Sequence, residues 1–199
     1  MKEVLIATGN RGKLRELELL LNPYVDKVYS LADFPDVAPA VEDGSTFAEN
    51  AIKKATAAAH ATGKPSLADD SGLVVEALDG VPGVFSARFA GEGATDAQNN
   101  AKLLQMMAGI PAGARKASFR CAAALCIPGK EPVVFEGEVK GVVLEAPRGT
   151  EGFGYDPLFL VPEYGKTLAE LPLEVKNRIS HRSIALGKVI QYIGNCKES

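Results

Sequence analysis

Cysteine and histidine are scarce in this chain of 199 residues, and their scarcity excludes several kinds of site. The three cysteines, Cys121, Cys126 and Cys196, form neither an even disulfide set nor a CxxC metal-binding pair. We therefore expect them to be reduced core or terminal residues. The two histidines, His60 and His181, are not part of an HExxH motif, which argues against a histidine-rich zinc centre. Any metal would be held by oxygen ligands.

The chain also lacks a strong charge excess and a long hydrophobic run. Its 22 basic and 25 acidic residues give a formal charge of −3, which argues against a protein that neutralises a nucleic-acid backbone. No apolar stretch approaches the roughly 20 residues of a membrane span. The amino terminus passes from Met1-Lys2-Glu3 directly into a strand-like run, without signal-peptide organisation. We expect a cytoplasmic protein with neither a nucleic-acid nor a membrane partner.

The remaining composition is that of a soluble globular protein, with 46% hydrophobic and 24% charged residues. Apolar periodicity and turn signals predict strands at 4–7, 67–68, 73–75, 118–127, 133–139 and 142–145. They predict helices at 13–21, from Thr46 to the stop signal at 63–65, from Thr95 to 109–111, and at 173–193. Because strict strand-helix alternation fails after residue 115, we expect an α/β fold with a mixed sheet. Residues 1–199 would form one domain with two lobes around a cleft.

An acidic segment, Leu67-Ala68-Asp69-Asp70-Ser71-Gly72-Leu73, interrupts the apolar pattern at a predicted turn between two strand pieces. Uncompensated burial of charge is costly, so paired aspartates beside an apolar run usually bind a cation, accept several hydrogen bonds or face a wet cleft. One or two such carboxylates, completed by phosphate oxygens and water, suit Mg²⁺. An Asx-type turn that binds backbone amides is the competing interpretation. Glu42 offers a further carboxylate.

A glycine-containing turn, Thr8-Gly9-Asn10-Arg11-Gly12-Lys13, connects the first predicted strand to the first helix. Free amides and the helix dipole favour an anion at such a position, and Lys13 can add a positive charge. The segment lacks the spacing of a P-loop, so a plain turn with a solvated lysine is the alternative.

Three other polar segments leave a structural and a functional interpretation open. On the helix that begins near Thr46, the pairs Asn50–Lys54 and Glu49–Lys53 have the i,i+4 spacing typical of exposed partners. The loop 152–157, Gly-Phe-Gly-Tyr-Asp-Pro, could stack on a base or cover the core. Lys176 and Arg182 would point about 120° apart on a continuous helix, so a common ligand would require a break between them.

Together these motifs resemble the inosine triphosphate pyrophosphatase family, also called the Ham1 family, and especially its bacterial dITP/XTP pyrophosphatase branch. The resemblance spans almost the whole chain and rests on TGNRGK at 8–13, the stretch 42–50, LADDSGL at 67–73, PGVFSARF at 82–89, GFGYDP at 152–157 and SHR at 180–182. It implies an elongated mixed sheet whose flanking helices form two lobes around a central active-site cleft. It also implies a homodimer.

The resemblance further implies an enzyme that hydrolyses dITP, ITP and XTP to the monophosphate and pyrophosphate with Mg²⁺, and so cleanses the nucleotide pool. Asp70 would be the catalytic carboxylate and, with Glu42, would bind the metal. The substrate-binding residues would be Thr8, Gly9, Asn10, Arg11, Gly12, Lys13, Ser71, Phe153, Gly154, Tyr155, Asp156, Lys176, His181 and Arg182, with no special role for Arg11. Asp69, Glu49, Asn50 and Lys54 would form a supporting polar shell.

Two other functions compete with this one. A Maf-like pyrophosphatase would perform the same chemistry on other nucleotides, and a non-catalytic sensor would retain the anion site without turnover. The presence of Asp70, Glu42 and Lys13 argues against the sensor. Within the catalytic interpretation, we expect Asp70 mainly to position the attacking water, because coordination to a cation lowers the basicity of a carboxylate.

Overall fold

A computed structural model of the protein describes residues 1–195, so the interpretation of Cys196 lies outside the described residues. The strands are β1 (Glu3–Ile6), β2 (Lys27–Ser30), β3 (Ser66–Val75), β4 (Lys116–Cys126), β5 (Val133–Val143), β6 (Phe159–Val161) and β7 (Lys166–Thr167). The α-helices are α1 (Arg11–Leu21), α2 (Phe47–Thr62), α3 (Asp96–Met106), α4 (Leu173–Ile179) and α5 (His181–Asn195). None of the described helices is long and apolar enough to cross a membrane.

All seven strands belong to one mixed sheet in the order β2-β1-β3-β4-β5-β6-β7. β1 pairs in parallel with both β2 and β3, whereas β6 pairs antiparallel with β5 and β7. The predicted α/β class with a mixed sheet is therefore confirmed.

The chain forms two compact units. The first contains residues 1–70, 121–137 and the segment that begins at His181, and the second contains residues 71–120 and 138–180. Because the boundaries fall within β3, β4 and β5, each of these strands contributes residues to both units.

The core of the first unit lies on both faces of its strands. Val4 and Ile6 of β1 belong to a buried cluster with Leu17 of α1 and with residues of α5. Leu5 points to the other face, where it belongs to a cluster with Ala51 and other alanines of α2. Alternation of this kind follows from the two-residue period of a strand. Helices α1 and α5 therefore cover one face of these strands, and α2 covers the other.

In the second unit, the core contains side chains of β3, α3, β4 and β6. Phe119 and Phe159 pack with their ring centroids 4.7 Å apart. The buried guanidinium of Arg115 donates hydrogen bonds to the carbonyl oxygens of residues in two loops and β5, namely Met107, Ile110, Val143 and Leu144. These bonds tie the end of α3 to the ends of β4 and β5.

Local signals predicted α2 and α3 well. Thr46 caps α2 by accepting a hydrogen bond from the Glu49 amide, and Gly63 ends the helix in a left-handed conformation. Such caps satisfy backbone groups that have no partner within the helix. Thr95 and Gln98 form the predicted capping box of α3.

Three predictions of element boundaries were wrong. The acidic segment is not a turn between two strand pieces, because Ser66–Val75 is one continuous strand. Likewise, 133–139 and 142–145 are not separate strands, because Val133–Val143 forms one strand. The predicted carboxyl-terminal helix is broken at Ser180, whose extended backbone separates α4 from α5. Strand pairing and tertiary contacts override the local turn signals in β3 and β5.

Candidate active site

The two adjacent aspartates of β3 point to opposite faces of the strand. Leu67 lies in the cluster with α1 and α5, and Ala68 lies in the cluster with α2. Because strand side chains alternate, Asp69 shares the face of Leu67, and Asp70 shares the face of Ala68. Each carboxylate therefore meets a different set of partners.

Asp70 contacts a lysine and an asparagine from α2. Its Oδ2 accepts a hydrogen bond from Asn50 Nδ2 at 3.0 Å, and its Oδ1 lies 3.5 Å from Lys54 Nζ. The same Lys54 Nζ lies 3.4 Å from a carboxylate oxygen of Glu42. Burial raises the pKa of the Asp70 carboxyl above its usual value, against the opposing charges of Lys54 and Lys13, and the Glu42 charge adds to the rise. Asp70 and Glu42 thus form an acidic pair that one ammonium group bridges.

Helix α2 brings Asn50 and Lys54 to Asp70 because residues four apart lie on one helical face. Asn50 is completely buried, and its Oδ1 accepts a hydrogen bond from the Gly44 amide at 2.8 Å. A β-carbon at Gly44 would lie 2.6 Å from that oxygen, so only glycine fits there. The expectation of an exposed Asn50–Lys54 pair was therefore wrong.

The other two residues considered on α2, Glu49 and Lys53, are exposed as their spacing predicts. Each contacts a residue that precedes the helix instead of the other member of the pair. Glu49 accepts hydrogen bonds from the amide and hydroxyl of Ser45, and Lys53 pairs with Asp43 at 2.5 Å. Both contacts are exposed and hold the turn before α2. Glu49 thus contacts this turn, whereas Asn50 and Lys54 contact Asp70.

Asp69 is inaccessible to solvent and lies between two cationic side chains. Its Oδ2 accepts a hydrogen bond from Arg182 Nε at 3.1 Å and lies 3.3 Å from Lys13 Nζ. Burial would raise the pKa of this carboxyl, but the charges of Lys13 and Arg182 outweigh it and hold the pKa well below its usual range. Asp69 is therefore a buried anion that fixes the position of two cations.

Glu16 of α1 completes this buried network. Its carboxylate binds Arg182 Nη1, so the Arg182 guanidinium lies between the carboxylates of Glu16 and Asp69. Burial alone would lower the pKa of Arg182, yet the two carboxylates raise it. Sequence reasoning missed Glu16, and its i,i+3 spacing from Lys13 was the weak signal available. Arg182, expected as a substrate contact, is buried in ion pairs.

The nearby Cys121 is a buried free thiol, as is Cys126. Cys121 Sγ lies 4.0 Å from Asp69 Oδ2, and burial together with this carboxylate raises the pKa of Cys121 to about 12. The thiol therefore stays protonated and serves as a packing residue. The prediction of reduced core cysteines is confirmed for both.

The segment between β1 and α1 has the geometry expected of an anion-binding turn. Asn10 caps the helix, since its Oδ1 accepts a hydrogen bond from the Lys13 amide at 3.0 Å. Thr8 Oγ1 accepts one from the Asn10 amide at 3.2 Å. These bonds present the first amides of α1 at its amino terminus, where the helix dipole favours negative charge. Lys13, held by Asp69, extends from the same first turn.

The loop 152–157 and Lys176 come together within the second unit. Lys176 Nζ lies 2.6 Å from Asp156 Oδ2 and 4.9 Å from the centroid of the Phe153 ring. Asp156 Oδ2 also accepts a hydrogen bond from the Phe153 amide at 3.0 Å. Phe153 is partly exposed, whereas Tyr155 is buried in the core. The core-covering interpretation therefore fits Tyr155, and Phe153 retains an accessible surface.

Ser86, in the segment PGVFSARF, connects this loop to β3. Its carbonyl oxygen accepts a hydrogen bond from the Tyr155 hydroxyl at 2.8 Å, and its Oγ accepts one from the Leu73 amide at 3.0 Å. A β-carbon on Gly72 would lie 2.3 Å from Ser86 Oγ, which explains the glycine after Ser71. Burial raises the pKa of the Tyr155 hydroxyl well above its usual value, in keeping with its role as a donor.

The predicted site residues thus occur in both units. In the first unit the structure brings together a set of charged and polar side chains, namely Lys13, Glu42, Asn50, Lys54, Asp69, Asp70 and Arg182. Thr8, Gly9 and Asn10 lie just before α1, and Arg11 and Gly12 lie in its first turn. In the second unit it brings together Phe153, Gly154, Tyr155, Asp156 and Lys176. Ser71 directly follows Asp70 in β3 and is partly exposed, and His181 opens α5 and is buried.

Two carboxylates of the first unit, one exposed and one buried, are candidate ligands of a metal ion. Glu42 is exposed, whereas Asp70 is buried, and both face Lys54. Among residues 1–195 no group of three or more acidic, histidine or cysteine side chains could hold a metal. Mg²⁺ commonly takes one or two protein carboxylates and completes its shell with substrate phosphates and water. The donor set therefore fits Mg²⁺ brought to the site together with a phosphorylated substrate.

Comparison with known proteins shows the family to which the chain belongs. The model of the Ham1 family matches residues 4–192. A dITP/XTP pyrophosphatase of Geobacter sulfurreducens is 56% identical over 98% of both chains, and one of Geobacillus kaustophilus is 55% identical over 95% of this chain and 93% of its own. The structure of a HAM1 protein from Coxiella burnetii superposes with a TM-score of 0.89 at 43% identity, covering 98% of this chain and 100% of the other. The chain belongs to the Ham1 family.

Proposed function

We propose that this protein hydrolyses non-standard purine nucleoside triphosphates, namely dITP, ITP and XTP, to the monophosphate and pyrophosphate. The observation that carries the proposal is the pair of opposed carboxylates on β3. Asp70 faces Glu42 and Lys54, while Asp69 holds Lys13 beside the turn before α1. The names of the dITP/XTP pyrophosphatases to which the chain is 56% and 55% identical support dITP and XTP as substrates.

In the proposed reaction, a water oxygen attacks the α-phosphorus and the bond from that phosphorus to the bridging oxygen breaks. Pyrophosphate leaves, and the proton lost by the water passes to Asp70 or to solvent. Asp70 positions the water, because its other contacts, Asn50 and Lys54, fix the carboxylate in one orientation. Lys13 and the amides of the turn 8–13 bind the triphosphate through its negative charge.

Asp70 and Glu42 would hold Mg²⁺, which when bound offsets negative charge on the phosphates. The Lys54 ammonium group offsets part of the negative charge of these carboxylates, since Nζ lies within 3.5 Å of both. This arrangement places a compensating cation beside the buried Asp70 carboxylate.

The purine base would bind to Phe153 and its loop, with Gly154, Tyr155, Asp156 and Ser71 around it. The partly exposed Phe153 offers a stacking surface, and the Lys176–Asp156 ion pair fixes the position of the loop. Base stacking on an aromatic side chain stabilises a complex by about 1–3 kcal/mol. His181 and Lys176 would complete the nucleotide contacts, whereas Arg182 would act by holding Asp69.

The membership of the Ham1 family supports three further proposals. The protein would act as a homodimer, which size-exclusion chromatography with light scattering measures directly. It would work in the cytoplasm, where its nucleoside triphosphate substrates are made and used. Residues 1–199 would act as a single catalytic domain with two lobes around a cleft.

Pyrophosphate release from dITP, XTP, dGTP and dTTP with Mg²⁺ tests the proposed substrates. We expect kcat/KM for dITP and XTP to exceed that for dGTP and dTTP by at least about a hundredfold, because a site that pairs buried polar groups with one base leaves them unpaired with another. A preference for dTTP would instead indicate the Maf-like function. Binding of dITP without release of pyrophosphate would indicate the sensor.

A further inference from the structure

The four residues Phe153–Gly154–Tyr155–Asp156 form a tight turn, and the hydrogen bond that closes it does not involve the backbone amide or carbonyl of its first central residue. The Asp156 amide donates to the Phe153 carbonyl at 3.2 Å, which closes the turn at its ends. Gly154, the first central residue, has φ of +61°, as turns of type II′ require at that position. Neither the amide nor the carbonyl of Gly154 takes part in the closing bond.

Helix α3 provides partners for both of these central polar groups. Asp96 Oδ2 accepts a hydrogen bond from the Gly154 amide at 2.7 Å. Asn100, one helical turn further along, donates from Nδ2 to the Gly154 carbonyl at 2.9 Å. The two side chains share a helical face because they are four residues apart. They therefore hold the peptide groups on both sides of the Gly154 α-carbon.

We propose that Asp96 and Asn100 are positioning residues that fix the central peptides of this turn and, through them, the Phe153 ring that receives the purine. The proposal rests on the proposed function, in which this loop binds the base. Lys176 and Asp156 fix the two ends of the turn, and Asp96 and Asn100 fix its middle. Without the contacts from α3, the peptides on both sides of the Gly154 α-carbon are restrained only through the ends of the turn, and the orientation of the Phe153 ring is held less firmly.

The chemistry of these two contacts is suited to positioning. The Asp96 contact is exposed to solvent and the Asn100 contact is partly buried, so substitution removes hydrogen bonds without opening a cavity in the core. A β-carbon on Gly154 would meet nothing within 4 Å, so the glycine is required by its backbone angle and not by lack of space. The loop is therefore held by hydrogen bonds to its backbone at this point.

The variants Asp96→Ala, Asn100→Ala and the double variant test the proposal with dITP as substrate. We expect each single substitution to raise KM about fivefold and the double substitution to raise it about tenfold or more, since one hydrogen bond of this kind changes binding by about this factor. The kcat should stay within twofold of the wild type, because base contacts made equally in the ground and transition states affect KM alone. Thermal unfolding should change little.

Two further variants separate positioning from helix stability. Asp96→Asn keeps an acceptor oxygen and should retain a KM within about twofold of the wild type. Gln98→Ala is the matched control, since Gln98 forms the capping box of α3 with Thr95 and, within residues 1–195, makes no hydrogen bond with the loop. It should lower Tm and leave KM unchanged.

An unchanged KM in the double variant would overturn the proposal, as would a loss of kcat at constant KM. A rise in KM for Gln98→Ala equal to that of Asp96→Ala would also overturn it, because helix stability would then explain both. Absence of pyrophosphate release from dITP by the wild-type enzyme would be a different result, since it would overturn the proposed function itself.

Discussion

Substitution of Asp70 by asparagine is expected to lower kcat for dITP hydrolysis by about a thousandfold. Asparagine has the same shape and can still accept the hydrogen bond from Asn50 Nδ2, so the fold should persist. In the proposed mechanism, the variant loses the negative charge that would orient the water, accept its proton and, with Glu42, bind the metal. Initial rates of pyrophosphate release at saturating dITP and Mg²⁺ measure the effect.

Asp43→Asn is the matched control for this prediction. Asp43 is an exposed aspartate of the same unit, and its pair with Lys53 lies on the surface. Surface ion pairs contribute little, so kcat and stability should remain near the wild-type values. If Asp70→Asn retains turnover within tenfold of the wild type, Asp70 neither positions the water nor accepts its proton.

Substitution of Asp69 by asparagine is expected to have its main effect on stability. The free energy of unfolding should fall by about 3 kcal/mol or more, because removal of one partner leaves buried charges uncompensated. Asp69 is completely buried and contacts both Lys13 and Arg182, so the loss concerns two cations at once. Urea denaturation of the variant and the wild type measures the difference.

A double-mutant cycle identifies the origin of that loss. Arg182→Met fills similar space without a charge, and combined with Asp69→Asn it should destabilise less than the sum of the two single changes. Glu3→Gln, which removes an ion pair with Lys64 at the surface, serves as the control and should cost less than about 1 kcal/mol. A loss below 1 kcal/mol for Asp69→Asn would show that Asp69 does not hold the two cations.

The sequence predicted the parts of the fold that depend on local signals. Thr46 and Gly63 mark the ends of α2 through side-chain and backbone chemistry within one turn of the chain, and the structure confirms both. The family was also identified correctly, because its motifs are distributed over nearly the whole chain.

The continuous strand β3 could not be predicted in the same way. Asp-Asp-Ser-Gly is typical of a turn, and its strand conformation depends on partners that are distant in sequence. Arg182, which binds Asp69, lies 113 residues away, and Asn50, which binds Asp70, lies 20 residues away. These partners compensate the charge of the buried aspartates. Because they are distant in sequence, the residues around the two aspartates do not indicate this compensation.

The same reason explains the site residues that sequence reasoning missed. Glu16 has the pattern of an ordinary exposed helical residue, and its burial follows from the position of α5. Asp96 has the position of an ordinary acidic residue in the first turn of a helix, and Gly154, which it contacts, lies 58 residues away in the sequence. Motif reasoning finds residues that contact substrate, but the side chains that hold those residues are found only from the folded structure.

The opposite orientation of Asp69 and Asp70 has a consequence for the pairing register of β3. A slip of one residue exchanges the two faces of a strand. In β3 it would bring Asp70 toward Arg182 and Asp69 toward Lys54, so the anchoring anion and the proposed catalytic carboxylate would change places. The pairing of Leu67 with Ile6, and of Ser66 with Leu5, excludes this slip. Two backbone pairings between β1 and β3 thus decide which aspartate faces Glu42 and Lys54.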